Sequence, residues 1–501
     1  MAVRNWEKSW DWSQGGPAAA TACSGTDVMK VVCDEIAAEL AEQMGIQAKV
    51  RFVAAAEIDP GKREFLIAQH SPSMLLRDNS ELGKGRALNE ISCRMELIPH
   101  FDVLGQGVVC KSATPLSSCR KANENCVASG EAATGRSFQE CLAIVDEHNP
   151  FAFALECVKE LARETADEQA VDKSDAEHMG RKLEERGYWV LIVEMEALDW
   201  GAPVRRRRLW WVGLRYIVGF TKEMIVPAKT FYTKMLNSFR CPQALLPGDC
   251  MQRSTSDRIA FADAHGLPVL AGTGLRLPLR EKQDPDWKLD HMDIYEEQGL
   301  AWPVELATMS DAINVDGLTL REAELAFFCH TVFPRSAELA DDVYEFMDIV
   351  PKKDRVLAGC FTLTKDPTPK AVPKGSGPWL TNCRTLTGSM KLMTRYISPE
   401  GKGVVRLVEA FECLAMMGWC GRTWSEEADP SWKDTMTKAI VEASPVTRGQ
   451  HLSAEMQTHL AAELLSDMSG NAWSVWHIGP VWLALLATWG RYFVPTAAPT
   501  Q

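Results

Sequence analysis

The chain alternates short, unbroken apolar runs with longer stretches in which apolar residues recur every three or four positions. The first run, Ala18 to Cys23, leads into Ser24-Gly25-Thr26-Asp27, a turn rich in helix-capping residues. Val28, Val31, Val32, Ile36, Leu40 and Met44 then keep helical spacing up to Gly45, a residue suited to ending a helix. Arg51 to Ala56 reads as a second strand with Glu57 at its end. Met74-Leu-Leu-Arg-Asp78 is a shorter run that closes on an acid. The run from Phe101 is opened by Asp102 and loosened by Gly105-Gln106-Gly107, and Cys110 stands at its C-terminal edge. Phe151 to Val158 carries Glu156 near its end. Tyr188 to Glu194 and Leu209 to Gly213 follow, with the turn Gly201-Ala-Pro203 and the cluster Arg205 to Arg208 between them.

This succession predicts an α/β fold, a mostly parallel sheet with helices on both faces. Ligands and chemistry in such sheets gather outside the C-terminal strand edges. Acids, a thiol and arginines recur at strand ends, so the series points to a single cleft. Strand residues alternate, so a division with Arg206 and Arg208 toward the cleft and Arg205 and Arg207 away is preferred to a simple solvated basic turn. Cys110 there is either a nucleophile, reactive as its thiolate, or a small buried hydrophobe. Cys119, Cys126 and Cys157 are the alternative thiols of the same region. The strand, glycine turn, helix, strand and acid from Ala18 to Glu57 have the layout of a nucleotide-type cofactor site. Helix N-terminal amides would meet the ligand's polar end and the acid its ribose. GxGxxG is absent, so a plain βα turn stays open.

Past residue 214 the pattern is less regular. Phe327 to Phe333 and Arg355 to Thr362 read as strands, and Glu338 to Ile349 as a helix. Lys365 to Pro378, rich in Pro and Gly, reads as a linker. Ser453 to Ser466 opens like a capped helix. Val481 to Trp489 is an apolar helix that should pack on the sheet, being too short to span a bilayer.

Composition narrows the classes. A chain of 501 residues, 46% hydrophobic and 24% charged, suits a globular protein of two or three domains. The first dozen residues are polar and tryptophan-rich with no signal-peptide core, and no run suits a membrane span, so an intracellular protein off the membrane is expected. The cysteines, 15 in all, show neither CxxC pairs nor zinc spacing, which predicts reduced thiols and no metal. A net charge of −13 disfavours indiscriminate nucleic-acid binding but leaves room for a local basic cleft, Arg205 to Arg208 being the densest cluster.

The order of these features resembles the C5-cytosine-specific DNA methyltransferases, a divergent member in this case. Cys23-Ser-Gly25-Thr-Asp27-Val resembles that family's cofactor loop, and Asp102 to Cys110 its nucleophile motif. Gly135-Arg-Ser137-Phe138 resembles a glycine–serine element, Leu155-Glu156-Cys157-Val158 the Glu-Asn-Val motif, and Gly201 to Gly213 the Gln-x-Arg-x-Arg motif with Arg206 and Arg208 in the arginine places. Arg406, Glu412 and Gly418 keep the spacing of a further motif. Gly470-Asn471-Ala472 resembles the last, which begins the helix returning to the cofactor domain.

The resemblance implies a class I S-adenosylmethionine-dependent methyltransferase fold plus a smaller target-recognition domain. Residues 1–213 would form the catalytic and cofactor-binding domain, 214–405 the target-recognition region, and 406–501 the part returning to the catalytic domain. It implies S-adenosyl-L-methionine as cofactor, held by Cys23, Ser24, Gly25, Thr26, Asp27, Glu57, Ile58, Asp78, Asn79, Asn471 and Ala472. It gives Cys110 the attack on cytosine C6, Glu156 the contact at N3 and Arg206 that at O2, with Arg208 beside them. Double-stranded DNA is the implied partner of a monomer, and a nuclear location follows if the source is eukaryotic. The departures are Val109 and Lys111 around the thiol, Cys157 after the glutamate, Val204 before the arginines, and Asp27 at a glycine of the cofactor loop. They keep two other readings open: cytosine methylation in RNA, and a catalytically weak homologue acting as a DNA-binding or interaction module.

Overall fold

The computed structural model describes residues 2–494 apart from 11, 13–14, 114–125, 131, 165–170, 218, 242–244, 253, 275–291, 294, 297, 342, 350–378, 380–382, 384–385, 387–390, 420–452 and 472. The apolar runs of the first half become strands β1 (Ala18–Ala22), β2 (Arg51–Ala56), β3 (Leu75–Leu76), β6 (Val103–Gly107), β7 (Ala152–Val158), β8 (Tyr188–Glu196) and β9 (Arg207–Arg215). A two-stranded hairpin of β4 (Arg86–Asn89) and β5 (Arg94–Leu97) stands between β3 and β6. The helical spacing after Asp27 becomes the helix Val28–Met44, closed by the Gly45 amide donating to Ala41 O with Gly45 at φ 59°.

The seven strands form one sheet in the order β3-β2-β1-β6-β7-β9-β8. β3, β2, β1, β6 and β7 run parallel, whereas β9 is antiparallel to both β7 and β8. The chain builds outward from β1 to β3, then returns to place β6 on the other side of β1. The order therefore reverses between β1 and β6, which opens a crevice at their C-terminal ends. This is the class I methyltransferase fold.

Both faces of the sheet are covered, as its unbroken apolar strands require. Val28, Met29 and Val32 of the helix Val28–Met44 share one core with Trp6, Ala228 and Tyr232, and with Val481, Leu485 and Trp489 of the helix Val475–Tyr492. Phe138, Leu142 and Val145 of the helix Ala133–His148 share the opposite core with Met179 and Leu183 of the helix Asp175–Glu184. The helix read near Ser453 spans Ala454–Asn471, and Lys62 grips its Asp467 at 2.6 Å. Among the described residues no helix is long and apolar enough to cross a membrane.

A second, antiparallel sheet of β10 (Glu345–Ile349), β11 (Lys391–Ile397) and β12 (Gly403–Leu407) corrects two expectations. Phe327 to Phe333 is not a strand but the end of the helix Leu320–Val332. Thr319 and Glu322 cap that helix reciprocally, and Leu325, Phe328 and Cys329 are its buried side. Glu338 to Ile349 is not a helix, since its last five residues are β10. Glu345 is buried against Arg395, 2.8 Å from its Nε, so a cross-strand pair sets the conformation. Arg355 to Thr362 and the linker Lys365 to Pro378 lie outside the described residues.

Candidate active site

Cys110 is positioned by a chain of hydrogen bonds that continues β6 past its end. The Val108 amide donates to Glu156 O at 2.9 Å, and the Val109 amide to Ser137 Oγ at 3.3 Å. The Ser112 amide reaches Thr134 Oγ1 at 3.3 Å, and the Ala113 amide closes a turn on Cys110 O at 3.0 Å. Proline at 109 would remove one of these donors; valine supplies it, and Ser137 takes it. The Cys157 thiol donates to Val108 O at 3.4 Å, so the two departures at 109 and 157 act on the same short loop. Lys111 is exposed.

Glu156 and Arg208 meet because β7 and β9 are antiparallel neighbours. Glu156 stands opposite Trp210 and Val158 opposite Arg208, so the acid, both arginines of the alternating set and Trp210 share one face. Arg208 Nε lies 2.7 Å from Glu156 Oε1. That contact is close but poorly directed, because Oε1 has no aligned hydrogen-bond donor. Arg206 is only 2% exposed and its Nη1 lies 3.5 Å from Leu386 O. Burial and the charge of Arg208 push its guanidinium down to about 9. Arg205 and Arg207 are exposed, and Arg207 pairs with Glu196 at 3.0 Å. The alternation is as the strand period required, but Arg208 rather than Arg206 reaches the acid.

The Cys110 thiol is pushed up from the ordinary range by burial and next by the charge of Glu156, while Arg208 and Arg206 pull it back. Cys157 and Cys23 are raised too, Cys23 to about 12, mainly by burial. Cys126 is buried with its thiol 3.6 Å from Asp175 Oδ2, and Cys119 lies outside the described residues. Cys110 is thus the thiol that stands beside the acid and both buried-side arginines.

On the other side of the crevice, the loop after β1 bends through left-handed backbone at Cys23, Gly25 and Asp27, with φ of 52°, 54° and 51°. Such a conformation costs a non-glycine residue roughly 1–2 kcal/mol, so Cys23 and Asp27 must be held by their neighbours. The Ser24 amide donates to Ala56 O at 3.1 Å, the Gly25 amide to Glu57 Oε2 at 2.8 Å, and the Cys23 amide to Asn79 Oδ1 at 2.9 Å. Asp78 caps the short turn after β3 through the Ser80 amide at 2.8 Å. The loops after β1, β2 and β3 are thereby tied into one rim. Ile58 stands out from it, 74% exposed.

Asp27 is buried, and burial lifts its carboxyl to about 7. Its Oδ1 and Thr26 Oγ1 are buried without a hydrogen-bond partner. Orphaned polar atoms beside a glycine-turned helix start fit a polar ligand at this rim. Asn471 ends the helix Ala454–Asn471, and Ala472 lies outside the described residues.

Sequence reasoning missed two residues that follow. Trp473 lies against β6: a Cβ on Gly107 would stand 3.2 Å from its Nε1, and one on Gly105 3.4 Å from its Cη2. His477 is fully buried beside Trp210, with neither ring nitrogen partnered. Burial and the charges of Arg206 and Arg208 keep it neutral. The signal for Trp473 was present in Gly105-Gln106-Gly107, two glycines on one strand face that leave a flat strip.

The geometry can be set beside known proteins. Residues 41–247 match the model of the C-5 cytosine-specific DNA methylases. Over that stretch the chain is similar to that family. Within 139 residues it is 31% identical to a DNA (cytosine-5-)-methyltransferase, DMT5, of Cryptococcus neoformans var. grubii, a stretch covering 28% of this chain and 6% of that protein. It is also similar to the crystal structure of the Dnmt2 methyltransferase of S. pombe, at 11% identity and a TM-score of 0.40 over 94% of this chain and 98% of that one. Among the described residues no cluster of side chains is arranged to hold a metal ion.

Proposed function

We propose that the protein methylates C5 of a flipped-out cytosine in DNA, with S-adenosyl-L-methionine as donor and Cys110 as covalent nucleophile. The observation that carries this is the meeting of Cys110, Glu156 and Arg208 at adjoining strand ends, across the crevice from a strained, ligand-ready loop. The cofactor's contribution when bound is an electrophilic methyl group. The Cys23 to Asp27 loop, Glu57, Asp78, Asn79, the exposed Ile58, Asn471 and Ala472 would hold it.

The rest of the chemistry falls to side chains of this chain. Cytosine C5 is a weak nucleophile; addition of the Cys110 thiolate to C6 breaks the ring's aromaticity and gives C5 enamine character. Negative charge then develops on the ring. Glu156 in its acid form bonds N3, and Arg208, with Arg206 behind it, faces O2. A proton shared between Glu156 and N3 cancels the charge that holds the thiol up, while the arginines still favour the thiolate. Base engagement therefore arms the nucleophile. Loss of the C5 proton and expulsion of the thiolate restore the ring and free Cys110. A base inside a duplex is unreachable, so flipping must precede all of this. Residues 1–213 would supply the catalytic part, 214–405 target recognition and 406–501 the returning helices.

Asp27 favours a second reading, a weak homologue that binds without efficient turnover, because it buries a carboxyl in the cofactor loop. Methyl transfer from labelled S-adenosyl-L-methionine to duplex DNA and to structured RNA, with cofactor binding measured in parallel, separates the readings. Transfer to DNA that is lost in Cys110→Ser, with cofactor binding retained, is the expected result. Transfer to RNA alone would move the substrate. Cofactor binding without transfer to either would favour the binding module.

A further inference from the structure

Gly105 and Gly107 are two apart in β6, so their missing side chains lie on one face of the strand. A Cβ on Gly105 would collide with Met29 Sδ and stand 3.4 Å from Trp473 Cη2 and 3.5 Å from Thr21 Cγ2. One on Gly107 would stand 3.2 Å from Trp473 Nε1, 3.8 Å from Cys23 O and 4.0 Å from Cys23 Cβ. The indole therefore runs along the bare strip of β6, its long axis from Gly105 to Gly107, beside the last residues of β1. Trp210 fixes it from the far side, edge-on at 5.0 Å between ring centroids and 71° between planes. Trp210 in turn stands opposite Glu156 in the ladder.

Trp473 thus occupies the point where the sheet order reverses, between the loop that follows β1 and the loop that presents Cys110. It is half-buried, unlike the fully buried Trp210, so part of the ring is left for a ligand. A methyl donor poised for attack at this crevice carries its positive charge on the sulfonium, the atom bearing the methyl group. Cations are drawn to an indole face when within about 6 Å of it. The base pocket lies on the Glu156 side, where Trp210 already stands; the Cys23 side is the donor's.

We propose that Trp473 recognises the positive charge of the methyl donor, making the site discriminate the cationic cofactor from its neutral product after transfer. This inference rests on the proposed use of S-adenosyl-L-methionine. It makes Trp473 a specificity-determining residue, and it fits the close approach of the ring to Gly107, where a Cβ would press on Nε1 at 3.2 Å.

The test is the ratio of two dissociation constants, for S-adenosyl-L-methionine and S-adenosyl-L-homocysteine, by titration calorimetry on the full chain. In Trp473→Leu the affinity for the cationic ligand should fall about 10-fold. That for the neutral thioether should change less than about twofold, so the ratio collapses. Trp473→Phe, which keeps an aromatic face, should fall between; it also serves if the leucine variant fails to fold, melting curves reporting on both. Equal losses for the two ligands, or no loss for either, would overturn the inference while leaving the function intact. If the unaltered protein binds neither ligand, the donor assignment falls and takes this inference with it.

Discussion

Two arginine–carboxylate pairs in this molecule, Arg406 with Glu412 and Arg208 with Glu156, differ in how fully they are bonded. Arg406 and Glu412 meet twice, at 2.7 and 2.8 Å, and Glu412 also accepts the Gln252 and Glu409 amides, each at 2.9 Å. Each carboxylate oxygen is thus doubly satisfied, and Arg406 also donates to Leu407 O and Gln252 O. Arg208 and Glu156 make one close contact, poorly aligned, beside a thiol whose charge both would influence. A carboxylate as fully bonded as that of Glu412 has no capacity left for a substrate. An under-satisfied one does, and the energy of completing its bonds can be spent on a ligand. Satisfaction, rather than burial or pairing, separates the structural site from the chemical one.

The sharpest break of the comparison comes from the thiol next to the open pair. Cys110→Ser should lower turnover by on the order of 10⁴-fold with the melting temperature nearly unchanged; a purely structural Cys110 would show the reverse. The closed pair predicts the opposite pattern. Arg406→Met leaves Glu412 buried and uncompensated and should cost roughly 3–5 kcal/mol in chemical denaturation. Arg208→Met should cost well under half of that while abolishing transfer, and equal stability losses for the two would dissolve the distinction.

A smaller effect tests the electrostatics of the open pair. Glu156 raises the Cys110 thiol and Arg208 lowers it. Glu156→Gln should therefore speed alkylation of Cys110 by iodoacetamide at pH 8 by about threefold or more. Arg208→Met should slow it, with Cys110→Ser as the blank. If Glu156→Gln slows the reaction, the account of how base binding arms the thiol is wrong.

The smallest prediction concerns Asp27. Its folded carboxyl titrates near 7, above the 3.8 of an ordinary aspartate, so the fold favours the neutral form. That contribution is full below the unfolded value and is lost as pH rises through about 7. Asp27→Asn should then raise the melting temperature more at pH 8 than at pH 5, by on the order of 2 °C. An unchanged difference across that range would place the charge on solvent instead.

What the sequence made legible follows the same line between local and distant causes. β1, β2, β6, β7, β8 and β9 could be read because each carries a largely buried apolar run, and the helix after Asp27 because spacing and Gly45 agree. Cys110, Glu156 and Arg208 were legible as strand-end chemistry. Which arginine meets the acid was not, since the contact of Arg208 rather than Arg206 with Glu156 depends on the β7–β9 register. The helix Leu320–Val332 was misread although Thr319 and Glu322 announced it, because two adjacent phenylalanines resemble a strand. β10 was misread because its acid finds Arg395 from another strand, a partner no local pattern shows. Trp473 escaped notice for a similar reason: its meaning lies in glycines more than 360 residues earlier.

The most direct measurement is covalent trapping. The protein is incubated with S-adenosyl-L-methionine and duplex DNA carrying 5-fluorocytosine, whose C5 has no proton to release, and denatured complexes are resolved by size. The account predicts a denaturant-stable protein–DNA adduct that depends on the cofactor and disappears in Cys110→Ser. Cofactor binding without any adduct, or an adduct that survives in Cys110→Ser, would contradict it.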